Sequence, residues 1–403
     1  MKTSIPFSRF ADISRHAGQR PIALWGAGNI CTKTIRRLPD SDIVICDNSA
    51  NMWGGEQEGH PIISPELFQK EYTDRYVIIC TTSFAEVSEQ LSDMGLTAQK
   101  DFIVSPVLND LRIIDELETI QCQLLVSSGA QPSDDPEAGG GLYQLDVKGT
   151  EWHYKKVLSG CCHCIIEVDN HLYTVDDERG ILQLDRDFNV IRNQPLPTKS
   201  RGHGIAYHAA SQCFFIACSL LDAVLVYDRD LTLQRKIPLS VKAGRDEGPF
   251  HHTNDCCIVG DSLYVSMFSE TGNWKRDIFD GAVIEFDIVT GERIGTPIRD
   301  LWMPHNIQFI DGCLTVLDSL RGGLRQNNAS VIGEFAAFTR GLAFNGHLFF
   351  VGQSRNRNFS KNVGVSKNIS IDTGVVIFDP ETKVSRFLQL PSKLSEIHGL
   401  FLL

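Results

Sequence analysis

The chain has 403 residues, 42% of them hydrophobic and 22% charged, the composition of an ordinary globular protein with room for two domains. Its formal charge of -12 repels phosphate backbones and anionic lipid, with no Lys/Arg stripe to offset it, so no nucleic-acid or membrane partner is expected. No apolar run reaches the roughly 18 to 20 residues of a spanning helix, and Met1 to Gly18 lacks the apolar centre of a signal peptide. A cytoplasmic location follows as the expectation, with the 12 cysteines mostly reduced and buried as small hydrophobes.

Pro21 to Trp25 reads as a buried strand running into Gly26-Ala27-Gly28-Asn29, which opens a helical stretch through Arg37; a second strand, Ile43 to Cys46, ends at Asp47. This is the layout of a dinucleotide fold, in which glycines permit close approach to a phosphate and an acid at the second strand's end holds ribose hydroxyls. Cys31 departs from the fingerprint by standing where a third small residue belongs. Further strands at Tyr76 to Cys80 and Asp101 to Val104, with a helix over Phe84 to Leu96 between them, complete a small parallel sheet. The expectation is an α/β Rossmann-like domain over residues 1–119, ending in an amphipathic helix from Val107 to Ile120. Its pocket for a nucleotide or nucleotide-sugar would be built from Gly26, Gly28, Asn29 and Asp47; the competing reading is a degenerate unit kept for packing.

On Gly26-Ala27-Gly28, Asp47-Asn48 and Gly59-His60-Pro61-Ile62, this segment resembles the small N-terminal domain of sugar O-acyltransferases and a domain found beside some sugar-tailoring methyltransferases. The resemblance implies a ligand of the nucleotide-sugar kind.

From residue 120 onward one phrase recurs: a small residue, alternating apolar positions, then Asp. It stands at Gly141 to Asp146, Gly180 to Asp185, Ala223 to Asp228, Gly281 to Asp287 and Gly374 to Asp379, with a weakened copy from Gly323 to Asn328. Period-2 alternation marks half-buried strands, and one copy for each four-stranded unit predicts a six-bladed β-propeller over residues 120–403. The chain ends in a strand, Ile397 to Leu403, with nothing after it, and Gln123 to Val126 begins a unit that lacks a first strand. The C-terminal strand is therefore expected to close the ring as the innermost strand of that first blade.

The starts of the innermost strands carry the chemistry: His163, His203, His252, His305 and His398 in five blades, Arg340 in the sixth. Imidazoles converging at one channel mouth would hold a transition metal (iron, copper, manganese or zinc), with Asn254 beside it and Arg340 clamping an anionic substrate. Two other readings stand against this one: acid–base work without a metal, and hydrogen bonding of the histidines to Ser and Asp in neighbouring strands. Cys161-Cys162-His163-Cys164 has zinc-ligand chemistry, although adjacent strand residues point to opposite faces. Arg355 to Lys361 would form a lid over an anion, and Trp274 beside Lys275 and Arg276 suits a ring-stacking contact.

Trp302-Met303-Pro304-His305-Asn306, Asp318-Ser319-Leu320-Arg321-Gly322-Gly323 and Phe338-Thr339-Arg340-Gly341-Leu342, with Val351 to Ser354, are similar to a bacterial propeller family of unknown function. The resemblance implies the propeller and puts His305, Asp318, Arg340 and Ser354 near one mouth. The expected function is a metal-dependent tailoring enzyme of secondary metabolism or surface-sugar biosynthesis, with Arg340, Asn254 and Asp318 as catalytic groups and a small anionic or nucleotide-linked substrate. A metal-free lyase or cyclase with a histidine base, and a non-enzymatic scaffold, are the alternatives.

Overall fold

The computed structural model describes residues 9–38, 42–241, 248–328, 330–357, 361 and 368–403. The chain divides into two compact units, Met1–Glu116 and Leu117–Leu403.

In the first unit, Ile22–Trp25 pairs in parallel with Ile43–Cys46 on one side and Tyr76–Ile79 on the other. Phe102–Val104 extends the sheet beyond Tyr76–Ile79, and His60–Ile63, in a hairpin with Glu56–Gln57, extends it beyond Ile43–Cys46. The central strands read as unbroken apolar runs because a buried cluster covers each face.

The expected fold class, an α/β Rossmann-like domain ahead of the propeller, is corrected here. The chain is mostly sheet; the five α-helices among the described residues are short, and the one after the glycine turn, Asn29–Ile35, has 7 residues. The physical reason lies at the turn itself. Asp47, expected to hold a ribose, folds back on the loop: its Oδ2 accepts from the Ala27 N–H at 2.6 Å and its Oδ1 from the Ser49 N–H at 2.7 Å. Gln57 lies over the start of the helix, donating to the Gly28 carbonyl at 3.0 Å and to Thr32 Oγ1 at 2.8 Å. Gly26 is required by a φ of +110° and by the Cys80 carbonyl, which a Cβ would meet at 3.1 Å. Glycines that suit a phosphate loop suit equally a tight turn closed by its own acid.

The second unit is a six-bladed β-propeller made of six four-stranded antiparallel sheets. Five blades are contiguous in sequence, with inner strands Cys162–Val168, Gly202–His208, Thr253–Val259, His305–Ile310 and Phe338–Phe344. The remaining blade takes its inner strand, Gly399–Leu402, from the end of the chain, where it pairs with Gln121–Ser128 from Gly399 against Ser127 to Leu402 against Leu124. Counting this closing blade first, the others follow in chain order as the second to the sixth.

The recurrent phrase is the third strand of each blade, and both its ends have a physical cause. The small residue comes where the fourth strand's carbonyl presses closest: a Cβ on Gly180, Gly141 or Gly374 would run into the carbonyl oxygen of Gln194, Leu158 or Leu388. The aspartate ends the strand by capping the following turn, as Asp185 accepts from Asn189 N–H at 2.8 Å and Asp287 from Thr290 N–H at 2.6 Å. Between these ends the alternating apolar residues interleave with the next blade, so that the buried clusters lie between blades.

Ring closure therefore rests on one short strand. A chain ended after Ser395 is expected to lose its cooperative thermal transition by circular dichroism, because the first blade would present an open inner edge; an unchanged melting curve would show that the ring holds without it.

Candidate functional site

Each contiguous blade has a register break in its inner strand near one mouth of the channel. The breaks fall between Cys162 and Ile165, Gly202 and Gly204, Thr253 and Cys256, His305 and Gln308, and Thr339 and Leu342. The extra residue re-aims a side chain. In three blades the break carries His163, His203 or Arg340; in the fourth and fifth it carries Asn254 with Asp255 and Asn306 with Ile307, so His252 and His305 precede it. The expectation of five histidines at equivalent places is corrected accordingly.

Three histidines from consecutive blades come together. His163, His203 and His398 each place a ring nitrogen within 4.8 Å of the other two, and all three are buried. The His163 and His203 rings stack at 4.4 Å, and His398 meets His163 edge-on at 4.6 Å. Each ring also has a nitrogen held from outside the cluster. His163 Nε2 is 2.8 Å from Asp177 Oδ1, His203 Nδ1 is 3.2 Å from Asn254 Oδ1, and His398 Nε2 is 3.2 Å from Glu396 Oε2 and 2.9 Å from Arg340 Nη1. The remaining nitrogens are Nδ1 of His163 and His398, 2.8 Å apart, and Nε2 of His203, which has no partner among the described residues.

Burial, reinforced by the charges of its histidine neighbours, holds His203 well below the ordinary imidazole value. Burial and the Arg340 guanidinium bring His398 down to about 3. These rings stay neutral near pH 7 and keep a lone pair. The two carboxylates behind them are held ionised: burial alone would raise Asp177 and Glu396, but the His163 ring with Arg201, and the His398 ring with Arg340 and Arg357, bring both well below the usual range.

The other two predicted metal ligands lie apart from this trio. His252 packs on Phe268 at 4.3 Å and Trp274 at 4.7 Å. His305 sits between Phe268 and Phe338, each 5.4 Å away, with Nδ1 on the Met303 carbonyl at 2.9 Å and Ser319 Oγ at 2.8 Å. A carbonyl takes only a donor, so His305 Nδ1 carries the proton and Nε2 is a buried lone pair with no partner among the described residues.

Arg340 Nη1 donates to Glu396 at 3.0 Å and lies 2.9 Å from His398 Nε2, which accepts from it in one tautomer of the ring and donates to Glu396 in the other; Arg340 Nε is unpartnered among the described residues. Asn254 likewise has an unpartnered Nδ2. Asp318, expected as a catalytic group, is used elsewhere: it is 2% exposed, accepts from the Trp302 N–H at 2.6 Å and from Arg321 at 3.2 Å, and so fastens the link between the strands Arg293–Leu301 and His305–Ile310. Among the Cys161 to Cys164 cysteines only Cys161 joins a possible ligand group, with His163 and Asp177. Burial and Asp177 push its thiol up, and it donates to Asp177 at 3.3 Å.

Of the loop expected as a lid, Arg357 pairs with Glu396 Oε1 at 2.8 Å and Lys361 with Asp277; residues 358–360 lie outside the described residues. Trp274 turns its ring to His252 and its Nε1 to the Pro249 carbonyl at 3.1 Å. Asp177 and Glu396 escaped the sequence reading. Glu396 carried a signal, standing two residues before His398 in an extended stretch and hence on the same side; Asp177 comes after its strand has ended and carried none.

Beneath the cluster, Asn306 spans three blades, donating to the His398 carbonyl at 3.0 Å and accepting from the Gly341 N–H at 2.6 Å. Asp255 ties the fourth blade to the fifth through the Ile307 N–H at 3.1 Å. Both residues also line a cavity of about 400 Å³ with Cys164, Ile205, Cys256, Ile307, Leu342 and Leu400 among others.

A family described as Domain of unknown function (DUF4915) matches residues 157–403. The chain belongs to this family. The matched stretch takes in five of the six blades, the closing strand and every member of the histidine cluster. A search of curated proteins finds no match. Among solved structures, a nidogen/laminin complex has a chain 15% identical, covering 70% of this chain and 97% of its own with a TM-score of 0.48. A protein of unknown function from Bacteroides caccae is also 15% identical, with 70% and 98% covered and a TM-score of 0.49. A third, described provisionally as a gluconolactonase, is 15% identical with 57% and 78% covered and a TM-score of 0.41. In the DUF4915 region itself, no helix among the described residues is long and apolar enough to cross a membrane.

Burial raises the Asp255 carboxyl to about 7, against the pull of its two backbone N–H donors. A carboxyl raised on folding contributes stability in full below its unfolded value, and loses it as pH rises through the folded one. Between about pH 5 and about pH 8 the parent should lose several degrees of melting temperature relative to Asp255→Asn. Parallel pH profiles in thermal melts would show that the group does not titrate there.

Proposed function

We propose that this protein is a metal-dependent enzyme whose centre is a transition metal held by His163, His203 and His398, and that it acts on a small anionic molecule at the channel mouth. The observation that carries the reading is the outward nitrogen of each ring, set by Asp177, Asn254 or Glu396. Metal-binding histidines are oriented in this way, by an acceptor on the nitrogen that does not bind. Imidazoles from three separate blades, each with one nitrogen left over and each bringing a ring nitrogen within 4.8 Å of the other two, are a donor set that iron, copper, manganese or zinc takes.

Such an ion, with three protein ligands, would supply an open position for Lewis-acid or redox chemistry. The chain's own residues supply the rest. Arg340, 2.9 Å from His398 and 4.8 Å over the Phe338 ring, places a guanidinium beside the cluster, and Arg201 and Arg357 add positive charge at the mouth through Asp177 and Glu396. Asn306 and Asp255 separate the cluster from the cavity below, so substrate would approach from the mouth.

A second reading is favoured by the 2.8 Å contact between the two Nδ1 atoms. Arg340 donates to His398 Nε2, which leaves the neutral His398 ring its proton on Nδ1 to give to His163, whose Nε2–H meets Asp177. That is a continuous chain fit for acid–base catalysis without a metal.

Elemental analysis of the untagged full chain, purified without chelator, separates the two. About one metal ion per chain is expected, lost on His163→Ala, His203→Ala or His398→Ala and kept on His305→Ala. A parent that stays empty after anaerobic incubation with each ion leaves the hydrogen-bonded chain as the working site.

A further inference from the structure

Among the buried donors beside the cluster that have no partner among the described residues, two are N–H groups that flank it on opposite sides. Asn254 is 3% exposed, with Oδ1 on His203 and Nδ2 unpartnered. Arg340 has a side chain 11% exposed, with Nη1 on Glu396 and His398 and Nε unpartnered. A buried donor left unsatisfied costs on the order of 1–3 kcal/mol, and more when charged, so two beside one cluster mark a place where a ligand's acceptors belong.

Their positions define that ligand. Asn254 flanks the trio on the His203 side and Arg340 on the His398 side, with these two rings 6.1 Å apart. A molecule seated over the three histidines would have a donor at each flank, so it needs acceptor atoms pointing both ways. The charge around it is positive: Arg340 and Arg357 share the single carboxylate of Glu396, and Arg201 shares Asp177 with the His163 ring. On the Asn254 side, His252 and Trp274 close the wall with ring surface.

Resting on the metal reading above, we infer that the substrate binds the ion through a small oxyanion group, either a carboxylate with a neighbouring oxygen or a phosphoryl group. Its oxygens span from Arg340 Nε–H to the Asn254 amide. Asn254 has two tasks: its oxygen orients His203 and its amide nitrogen receives the anion. Both donors sit on rigid inner strands at a bulge, which fixes the span between them.

The test is a visible-absorption titration of the full chain loaded with cobalt(II), first with oxalate and then, separately, with inorganic phosphate. A saturable change in the cobalt bands with either anion is expected; oxalate alone marks a carboxylate substrate, and phosphate alone a phosphoryl one. Asn254→Asp keeps an oxygen for His203 and replaces the donor by a like charge, so it should retain cobalt and weaken the anion by about tenfold or more. Arg340→Met should do the same from the other flank. Cobalt bound with bands unmoved by either anion, or moved equally in parent and both variants, overturns the inference alone. Failure of the parent to bind cobalt overturns the metal reading and this inference with it.

Discussion

Everything at the channel mouth depends on the crowding of six inner strands about one axis. A strand that ran straight into the channel would point alternate side chains at its neighbours and leave no room for imidazole rings. The bulge after each strand start relieves this by adding a residue to the inner strand without adding one to its partner, so that His163, His203 and Arg340 turn toward the axis. Where the strands still approach too closely, the next residue is glycine: a Cβ on Gly204 would strike Asp255 and Cys256, one on Gly399 would meet the His163 carbonyl at 2.9 Å, and one on Gly341 would meet Leu400 at 2.9 Å. His-Gly and Arg-Gly are thus single devices, a functional side chain followed by the absence of one.

The same crowding explains the polar layer beneath. Bulging frees backbone groups that would otherwise pair along the ladder, and buried backbone groups must find partners. Asn306 and Asp255 meet that need from the fifth and fourth blades by reaching across to Gly341, His398 and Ile307. They stand at the bulge of their own blades, where the second, third and sixth blades have His or Arg. Three blades bring the imidazoles that converge; of the other three, the fourth and fifth carry an acid and an amide that tie the inner strands together, and the sixth carries Arg340.

The propeller was legible because its signature has a steric and a polar cause, each found in four of the six blades: the glycine under a carbonyl and the aspartate over a turn are set by neighbours within one blade. The N-terminal segment misled for the complementary reason. A glycine turn between strand and helix satisfies the same local rules whether it cradles a phosphate or is closed by its own acid, as the hydrogen bond from Ala27 to Asp47 closes this one. In the candidate site, the histidines could be read from their place at the strand starts, but which of them meet could not. One residue of register separates His305, facing Phe268 and Phe338, from His163, facing His203. Asp177 was out of reach for a different reason, since its partner His163 comes from the preceding strand and no periodicity links them.

The electrostatic layout gives the arrangement its chemical sense. Burial makes a charge on these rings costly, so His203 and His398 are pushed toward neutrality, while the carboxylates behind the trio are kept ionised by the rings that meet them together with Arg201, Arg340 and Arg357. Imidazoles inside with two carboxylates and an amide oxygen outside would suit a bound cation, since acceptors on the outward nitrogens raise the basicity of the rings without competing for the ion. It also polarises the site across its width. The His163 side is anchored to Asp177, whereas the Arg340 side ends in a guanidinium whose Nε faces no partner among the described residues. A substrate carrying negative charge would be drawn to that side and held against the cluster, and the aromatic wall of His252, Phe268 and Trp274 lies beyond Asn254 for whatever apolar part of the molecule remains.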